Sequence, residues 1–475
     1  MQSPFVFVIF GATGDLAHNK LIPALFSLYK KGALPDDFFI FGFARRELAN
    51  EEFAELFQQF VADEKWHGFT KHLFYQQGLF DEKKGYENLV KALEKLDKKM
   101  GACITRIFYL ATPPQNYDMI LDNLQSTKLS EGCGQGSSKW TRIAIEKPFG
   151  KNLATARALD KKLATIFEEK QIFRVDHYLG KETVQNMLVF RFANGIFDPI
   201  WNKEYIDNVQ ITFFEKKGVG NRGKFFDGVG QLLDIGQNHL MQLIAGVAMD
   251  MPKSFSKEGV RDARAKALAA LQCIESASVE KSVVRAQYDG YTSEKDVAPN
   301  STTETFIAMK FFVETQRFSG VPFYVRAGKN MTENIIEISL VFKQTCHILF
   351  KEIGCPEEGN ILKIRIQPNE GISMQIIAKV PGPSLQLGTA DMHFSYAESF
   401  GTTGIDAYEK VLMDIFMGEQ MLFNRSDELE SSWKFIEKIV EGWEKSKQKV
   451  EIYEPGSSGP TQANTLIEKD GRKWE

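Results

Sequence analysis

Residues 174–182 bring four kinds of chemically active side chain together within nine positions: a carboxylate, an imidazole, a phenol and an ammonium group. Charge-assisted hydrogen bonds from His177 and Lys181 suit a phosphate group, and Tyr178 adds a neutral donor. Asp176 suits a different task, because a carboxylate can fix the tautomer of a histidine and stabilise its cation. A solvated loop after a helix can carry the same residues, so these positions alone leave both interpretations open.

The start of the chain has a pattern typical of a dinucleotide-binding site. The continuous apolar run at 5–10 predicts a strand that is buried on both faces, as in a parallel sheet. Gly11 permits a tight turn after it, Gly14 lets the backbone approach a pyrophosphate, and Ala17 allows close packing of the following helix. The spacing is G-x-x-G-x-x-A rather than G-x-G-x-x-G, and glycine turns after strands are common. The pattern therefore indicates such a site without proving it.

A second apolar run, at 38–43, is followed by Arg45 and Arg46. A site for NAD carries an acid near this point, which holds the ribose 2′-hydroxyl. An arginine can instead pair with a 2′-phosphate and stack on adenine. This position therefore favours NADP over NAD, and a pair of surface arginines is the alternative.

The bulk composition is that of an ordinary globular protein with at least two domains. The 475 residues are 43% hydrophobic and 25% charged, with a formal net charge of -4. This balance gives no general attraction to nucleic acid or to anionic membranes, so neither is predicted as a partner. The apolar start lacks a basic leader region, and no apolar run is long enough to span a bilayer. The cytoplasm is the expected location.

The five cysteines are odd in number, and no two have C-x-x-C spacing. This pattern predicts buried reduced thiols rather than a disulfide framework, and it predicts no metal site.

The order of strand-like and helix-like segments predicts two fold classes within one chain. Up to about residue 175, buried runs alternate with helical segments, which indicates an α/β domain. After Trp201 several alternating runs follow with few helices between them, which indicates a broad antiparallel sheet. The predicted domains are 1–175 and 176–450, with 451–475 as a flexible polar tail. The Gly- and Ser-rich stretch at 130–139 is predicted to be a surface loop.

Several blocks of this sequence, in their order along the chain, resemble those of the glucose-6-phosphate 1-dehydrogenase family. The resemblance extends from about residue 5 to residue 443. It rests on the blocks at 11–17, 146–150, 174–182, 237–240, 321–323, 326–329, 367–370 and 425–429. It implies a Rossmann-like domain (α/β) followed by a larger α+β domain with a broad, mostly antiparallel sheet. It also implies a homodimer or homotetramer and a cis peptide before Pro148.

The activity implied by the resemblance is NADP-dependent oxidation of glucose 6-phosphate at C1 to 6-phosphoglucono-1,5-lactone. This reaction is the first step of the oxidative pentose phosphate pathway. By the same resemblance His239 is the general base and Asp176 its partner. The residues implied to bind the substrate are His177, Tyr178 and Lys181 at its phosphate and Lys147, Glu215, Asp234 and Lys329 at its sugar hydroxyls. The residues implied to bind the cofactor are Gly11, Thr13, Gly14, Asp15, Leu16, Lys20, Arg45 and Lys147.

Two rival functions share much of this pattern. Sugar oxidoreductases of similar build act on unphosphorylated sugars, but the H-Y-x-x-K cluster at 177–181 favours a phosphate. A catalytically silent NADP-binding regulator is expected to lack His239 or Asp176, and both are present. The chain departs from the family at Asn334, five residues after Lys329, where relatives commonly carry a second basic residue. An amide brings no charge to a phosphate, so this difference predicts weaker substrate binding unless another group, such as Lys343, takes the role.

Overall fold

A computed structural model describes residues 3–133, 141–401, 404–446 and 448–475, and the chain divides into two compact units. The first unit comprises residues 1–180, 256–258 and 405–426, and the second comprises 181–255, 259–404 and 427–475. The predicted domain boundary at 175/176 lies close to the first division, but the sequence interpretation did not assign 405–426 to the first unit. Residues 134–139 of the predicted surface loop lie outside the described residues.

The first unit is built on a seven-stranded sheet that is parallel except at one edge. Its strand order is β15-β6-β5-β4-β1-β2-β3. The strands are β1 (Phe5–Phe10), β2 (Phe38–Ala44), β3 (Leu73–Gln77), β4 (Thr105–Leu110), β5 (Arg142–Glu146), β6 (Ile172–Val175) and β15 (Phe423–Asn424). All six residues of β1 are buried, which confirms the prediction of a strand covered on both faces.

Seven α-helices belong to the described part of the first unit. They are α1 (Ile22–Lys30), α2 (Asn50–Glu55), α3 (Trp66–Thr70), α4 (Lys83–Met100), α5 (Tyr117–Ser126), α6 (Leu153–Ala164) and α14 (Ala407–Met417). A π-helical segment, Ala17–Leu21, leads into α1. Helix α14 comes from the late segment of the chain, yet its apolar side packs in the same core as β1. The ring of Phe416 lies 4.2 Å from that of Phe5 and 5.5 Å from that of Phe7.

The second unit is built on a nine-stranded, mostly antiparallel sheet, as predicted. Its order is β14-β13-β12-β11-β7-β10-β9-β8-β16, and only the β7–β10 and β8–β16 pairs are parallel. The strands are β7 (Ile206–Phe214), β8 (Val283–Tyr288), β9 (Phe306–Phe312), β10 (Pro322–Gly328), β11 (Ile335–Phe342), β12 (Ile361–Gln367), β13 (Gly371–Lys379), β14 (Leu387–Ser395) and β16 (Glu451–Tyr453).

The helices of the second unit lie before, between and after these strands along the chain. Two of them, α10 and α15, begin in segments of the first unit. They are α7 (Glu182–Ala193), α8 (Gly223–Phe226), α9 (Met241–Ala248), α10 (Lys257–Ala269), α11 (Val279–Ser282), α12 (Cys346–Phe350), α13 (Tyr396–Phe400), α15 (Ser426–Ser446) and α16 (Thr461–Glu468). The predicted helix at 228–246 is a π-helical segment, Leu232–Leu240, that continues into α9.

The prediction of a flexible C-terminal tail is wrong. Strand β16 pairs with β8, and α16 buries Ala463, Leu466 and Ile467. The segment 451–475 is polar overall, but its few apolar residues are spaced to face the sheet. Its polar groups find partners there: the Tyr324 hydroxyl bonds to the carboxylate of Asp470. The average polarity of a segment therefore does not show whether that segment packs against the rest of the protein.

The prediction that the cysteines remain unpaired is also wrong. Cys103 and Cys133 form a disulfide with their Cα atoms 5.7 Å apart, and Cys346 and Cys355 form another with a separation of 5.9 Å. Cys273 is free, and it is exposed rather than buried. An odd count and the absence of C-x-x-C spacing do not reveal which thiols the fold brings together.

Among the residues described, none of the helices combines the length and the apolar character that crossing a membrane requires.

Candidate active site

The glycine turn after β1 has the geometry that the sequence predicts. Gly11 has a φ of +92°, and a side chain there would place its Cβ 2.5 Å from the carbonyl oxygen of Ala111. The Gly14 N–H donates to the Gly11 carbonyl at 3.0 Å. Asp15 and Lys20 are exposed, and Thr13 and Leu16 are half-buried. This open backbone cradle, at the carboxyl end of a parallel strand, fits the pyrophosphate of a dinucleotide.

Arg45 lies at the end of β2, and its side chain is exposed. Its backbone is held in place, since its carbonyl accepts a hydrogen bond from the Gln77 side chain at 3.2 Å. The Tyr75 hydroxyl bonds to the carbonyls on either side, those of Ala44 and Arg46. A fixed backbone with an exposed guanidinium is suited to bind a 2′-phosphate.

Glu146, the last residue of β5, is buried directly before Lys147. Its Oε1 accepts hydrogen bonds from the hydroxyls of Tyr109 at 2.5 Å and Tyr408 at 3.3 Å. A third phenol, that of Tyr117, donates to the Glu146 carbonyl. Burial raises the pKa of Glu146 to about 7, although the hydrogen bond from Tyr109 and the nearby charge of Lys147 oppose the rise. The Lys147–Pro148 peptide is cis, as the resemblance implied.

The central motif begins directly after β6. Asp176 is 1% exposed, and its Oδ1 accepts a hydrogen bond from the backbone N–H of Tyr178 at 3.0 Å. The half-buried His177 ring lies nearly parallel to the ring of Tyr408, at 5.5 Å and an angle of 16°. The Lys20 ammonium is 6.0 Å from the centre of the same tyrosine ring. Tyr408, on α14, therefore lies beside Glu146, His177 and Lys20 within the first unit.

Three of the four predicted sugar-binding residues come together in the second unit. The ammonium of Lys329, after β10, lies 2.6 Å from the carboxylate of Glu215 and 3.3 Å from that of Asp234. Lys329 is 3% exposed and Asp234 5%, so these two charges are shielded from bulk solvent, whereas Glu215 is 32% exposed. Arg222 adds a second cation 3.5 Å from Asp234. The fourth residue, Lys147, belongs to the first unit.

Asp234 and His239 both lie on the π-helical segment Leu232–Leu240. His239 is 1% exposed, and its ring lies parallel to that of Phe213 at 6.2 Å. The start of the segment is held by Glu304, whose carboxylate accepts the Leu232 N–H at 3.0 Å. Burial raises the pKa of Glu304 to about 7.

Lys181 begins the second unit, and its ammonium donates to the side-chain carbonyl of Gln367 at 2.6 Å. Gln367 also lines a cavity of about 620 Å³ at the ends of β12, β13 and β14. The sequence interpretation gave Gln367 no role, although it belongs to one of the family blocks.

Asn334 does not act as a free amide. The Oδ1 of Asn334 accepts a hydrogen bond from the backbone N–H of Lys216 at 2.7 Å, and Asn334 is exposed. The alternative group, Lys343, donates to the carbonyl of Lys203 at 2.6 Å. Neither contact involves a phosphate-binding residue named above, so the role of Asn334 in substrate affinity stays a prediction.

The predicted catalytic pair is divided between the units, since Asp176 belongs to the first and His239 to the second. Their partnership therefore stays a prediction. Sequence reasoning missed Tyr109, Tyr408 and Glu304, because their partners beside the site residues, Glu146 and Leu232, are far away in the sequence. Only Glu146, within the E-K-P block, carried a signal that could have drawn attention to this buried network.

Both parts of the chain match known families. Residues 8–186 match the family described as "Glucose-6-phosphate dehydrogenase, NAD binding domain", and residues 188–475 match "Glucose-6-phosphate dehydrogenase, C-terminal domain". The glucose-6-phosphate 1-dehydrogenase of Chlamydia pneumoniae is 42% identical over 493 residues, which covers 99% of this chain and 96% of the relative. That of Rhizobium meliloti is 39% identical, with coverages of 99% and 97%.

Solved structures extend the likeness to three dimensions. A glucose-6-phosphate dehydrogenase in complex with its substrate glucose-6-phosphate matches with a TM-score of 0.91 at 34% identity, covering 100% of this chain and 99% of that one. The Mycobacterium avium glucose-6-phosphate 1-dehydrogenase matches with a TM-score of 0.86 at 30% identity and the same coverages. A Gal80p from Saccharomyces cerevisiae, with a TM-score of 0.53 and 9% identity, shares the fold alone. The chain therefore belongs to the glucose-6-phosphate dehydrogenase family.

Proposed function

We propose that this chain oxidises glucose 6-phosphate at C1 to 6-phosphoglucono-1,5-lactone and transfers the hydride to NADP, as the first step of the oxidative pentose phosphate pathway. The observation that carries the proposal is the full-length match in both sequence and fold to an enzyme solved with glucose 6-phosphate. It is supported by the presence of His239, Asp176 and the H-Y-x-x-K cluster in this chain.

The substrate is proposed to be held at its two ends by different chemistry. The phosphate is bound by His177, Tyr178 and Lys181, which offer an imidazole, a phenol and an ammonium group as hydrogen-bond donors. The sugar hydroxyls are bound by Lys147 in the first unit and by the Lys329–Glu215–Asp234 cluster in the second. Within that cluster the carboxylates accept and the ammonium donates, which suits hydroxyl groups that do both.

His239 is proposed as the base that takes the proton from the C1 hydroxyl. An imidazole is suited to this task near neutral pH, where it can exist in both protonation states. Asp176 is proposed to favour the imidazolium that forms and to fix the ring tautomer. Both side chains are 1% exposed, so the transfer takes place away from bulk water.

NADP is proposed to bind along the glycine turn, with Thr13, Asp15 and Leu16 beside its pyrophosphate and Arg45 at its 2′-phosphate. When bound, NADP supplies the nicotinamide ring that accepts the hydride. The residues Lys20 and Lys147 are proposed to lie close to the reacting centre. The proposal also includes a cytoplasmic location and a homodimer or homotetramer as the working form.

A turnover assay tests the reaction directly. Purified protein is incubated with NADP and either glucose 6-phosphate or glucose, and reduction of the cofactor is followed by absorbance. The proposal expects turnover with glucose 6-phosphate and at most weak turnover with glucose. Equal activity on both sugars would support an oxidoreductase for unphosphorylated sugars, and no turnover on either would support a silent regulator.

The role of His239 has its own test. His239→Asn keeps a polar side chain of similar size but removes the base, so kcat should fall by about two to four orders of magnitude. Glucose 6-phosphate should still bind to the variant in calorimetry, because the phosphate-binding residues are unchanged. A near-normal kcat would show that another group takes the proton.

The choice of cofactor is tested by Arg45→Ala. Loss of a charge-assisted contact to the 2′-phosphate is worth roughly 1.5–3 kcal/mol, so KM for NADP should rise by about 10- to 150-fold. KM for NAD should change little, since NAD has no such phosphate. An equal rise for both cofactors would mean that Arg45 does not read the 2′-phosphate.

A further inference from the structure

We propose that Tyr453 is a positioning residue for Lys329, which makes the C-terminal segment 451–475 a part of the substrate-binding site. The inference rests on the proposed function, because Lys329 is proposed above to bind a sugar hydroxyl. It goes beyond that function by assigning a role to a residue that touches neither substrate nor cofactor.

Tyr453 ends β16, and its hydroxyl is buried against the backbone on which Lys329 stands. The hydroxyl donates to the carbonyl oxygen of Lys329 at 2.5 Å. It also lies 3.0 Å from the hydroxyl of Thr305. Burial raises the pKa of Tyr453 above its ordinary value, so the phenol stays protonated and remains a donor.

The backbone of Lys329 is thereby fixed at both of its polar groups. Its N–H donates to the carbonyl of Thr305 at 3.0 Å, and its carbonyl accepts from Tyr453. Fixing the backbone matters here because a lysine side chain is a long flexible stem that ends in a compact charge. The ammonium must reach two carboxylates, those of Glu215 and Asp234, at 2.6 and 3.3 Å. A shift of the backbone would change both distances.

The next residues of the same loop are tied to the C-terminal segment as well. The Gly456 N–H donates to the carbonyl of Asn330 at 2.8 Å, and the Thr332 N–H donates to the carbonyl of Ser457 at 3.0 Å. Asn330 has a φ of +55°, which a non-glycine residue adopts only when its surroundings hold it. Residues 453–457 therefore support the loop 328–332 at Lys329, Asn330 and Thr332.

The rest of the C-terminal segment has further anchors outside this loop. Strand β16 pairs with β8, and α16 packs its apolar side in a core with Phe306 and Tyr291. Arg472 forms a two-point ion pair with Asp207. The segment should thus stay docked when one hydroxyl is removed, which separates positioning from folding.

Tyr453→Phe removes that hydroxyl and keeps the ring. Its matched control is Tyr324→Phe, which removes a hydroxyl that also bonds to the C-terminal segment, at Asp470, but does not contact Lys329. Loss of one hydrogen bond predicts a rise of about 3- to 10-fold in KM for glucose 6-phosphate in Tyr453→Phe. KM for NADP should stay within about twofold, and Tyr324→Phe should leave both constants unchanged while it lowers Tm to a similar extent.

Hydrogen exchange measured by mass spectrometry gives a readout that does not depend on turnover. Peptides that cover 328–332 should exchange faster in Tyr453→Phe than in the wild type or in Tyr324→Phe. An inactive wild type would refute the proposed function, and the exchange data would still decide the role of Tyr453.

Three results would overturn the inference. The first is an unchanged KM for glucose 6-phosphate together with unchanged exchange at 328–332. The second is an equal rise of KM in Tyr324→Phe, which would show that any loosening of the segment suffices. The third is a Tyr453→Phe chain that cannot be recovered folded beside a folded Tyr324→Phe chain, because the hydroxyl would then serve the fold rather than the site.

Discussion

Each unit buries one glutamate beside its candidate site, and the two carboxyl groups are held by different partners. Glu146 in the first unit accepts from the phenols of Tyr109 and Tyr408. Glu304 in the second unit accepts from the backbone N–H of Leu232. Burial raises the pKa of both groups to about 7. The same rise through burial is therefore opposed by side-chain hydrogen bonds in one unit and by a backbone hydrogen bond in the other.

The glycine at position 230 leaves room for the buried Glu304 carboxylate. Its φ is +74°, and a Cβ there would lie 2.4 Å from the Glu304 carboxylate. Gly230→Ala should cost about 1–2 kcal/mol for the backbone conformation and about 1–3 kcal/mol for the displaced carboxylate. The free energy of unfolding, measured with urea, should therefore fall by about 2–5 kcal/mol.

Gly228→Ala is the matched control for this change. Gly228 has a φ of +83°, but a Cβ there meets no atom within 4 Å. Only the backbone cost should appear, about 1–2 kcal/mol. Equal losses in the two variants would mean that Glu304 moves aside freely and does not depend on the glycine.

The raised pKa values predict how stability depends on pH. A carboxyl group whose pKa is higher in the folded than in the unfolded chain stabilises the fold fully below its ordinary pKa of 4.5, and that stabilisation is lost as the pH rises through about 7. Each glutamate should therefore account for a loss of about 3 kcal/mol between these limits.

Glu146→Gln and Glu304→Gln test this dependence, since an amide does not titrate. The free energy of unfolding is measured with urea at pH 5 and pH 8. Between these two pH values the difference between each variant and the wild type should shift in favour of the variant by up to about 3 kcal/mol. If the difference in unfolding free energy between variant and wild type is the same at both pH values, the replaced glutamate does not titrate in this range.

The smallest effects should come from the phenols that bond to Glu146; within the described ranges no phenol bonds to the Glu304 carboxylate. Tyr109→Phe removes the shorter hydrogen bond to Glu146 and should lower the free energy of unfolding by about 1 kcal/mol. It should also raise the pKa of Glu146 further, because this bond favours the ionised form. Tyr408→Phe should have a smaller effect, since its bond is longer at 3.3 Å. A larger loss in Tyr408→Phe would reverse the ranking of the two donors.

Local patterns predicted the elements whose formation depends on neighbouring residues. The strands β1 and β2 lie in largely apolar runs, and the Gly11 turn follows β1 directly, so each could be predicted from a few neighbouring positions. The family resemblance named the site residues, among them the Glu215–Lys329 pair that the structure brings together. The spacing of 114 residues between these two carries no signal of contact.

Several features that the sequence did not predict depend on distant segments. Tyr408 reaches Glu146 because 405–426 belongs to the first unit, and nothing local marks that assignment. The C-terminal segment was misjudged because its docking depends on partners such as Asp207 and Tyr324, more than a hundred residues away. Cys103 and Cys133 are 30 residues apart, and their pairing likewise requires the fold.

The first unit is completed by the late segment 405–426, and this has a consequence during synthesis. The sheet strand β15 and the core residues of α14 are translated only after most of the second unit. The interval from Gly180 to Ser426 is about 250 residues, which a ribosome making roughly 5–20 residues per second needs about 12–50 s to translate. For that time the nascent β6 edge and the sheet face at Phe5 and Phe7, which α14 later covers, are open to chaperones that bind nascent apolar surface.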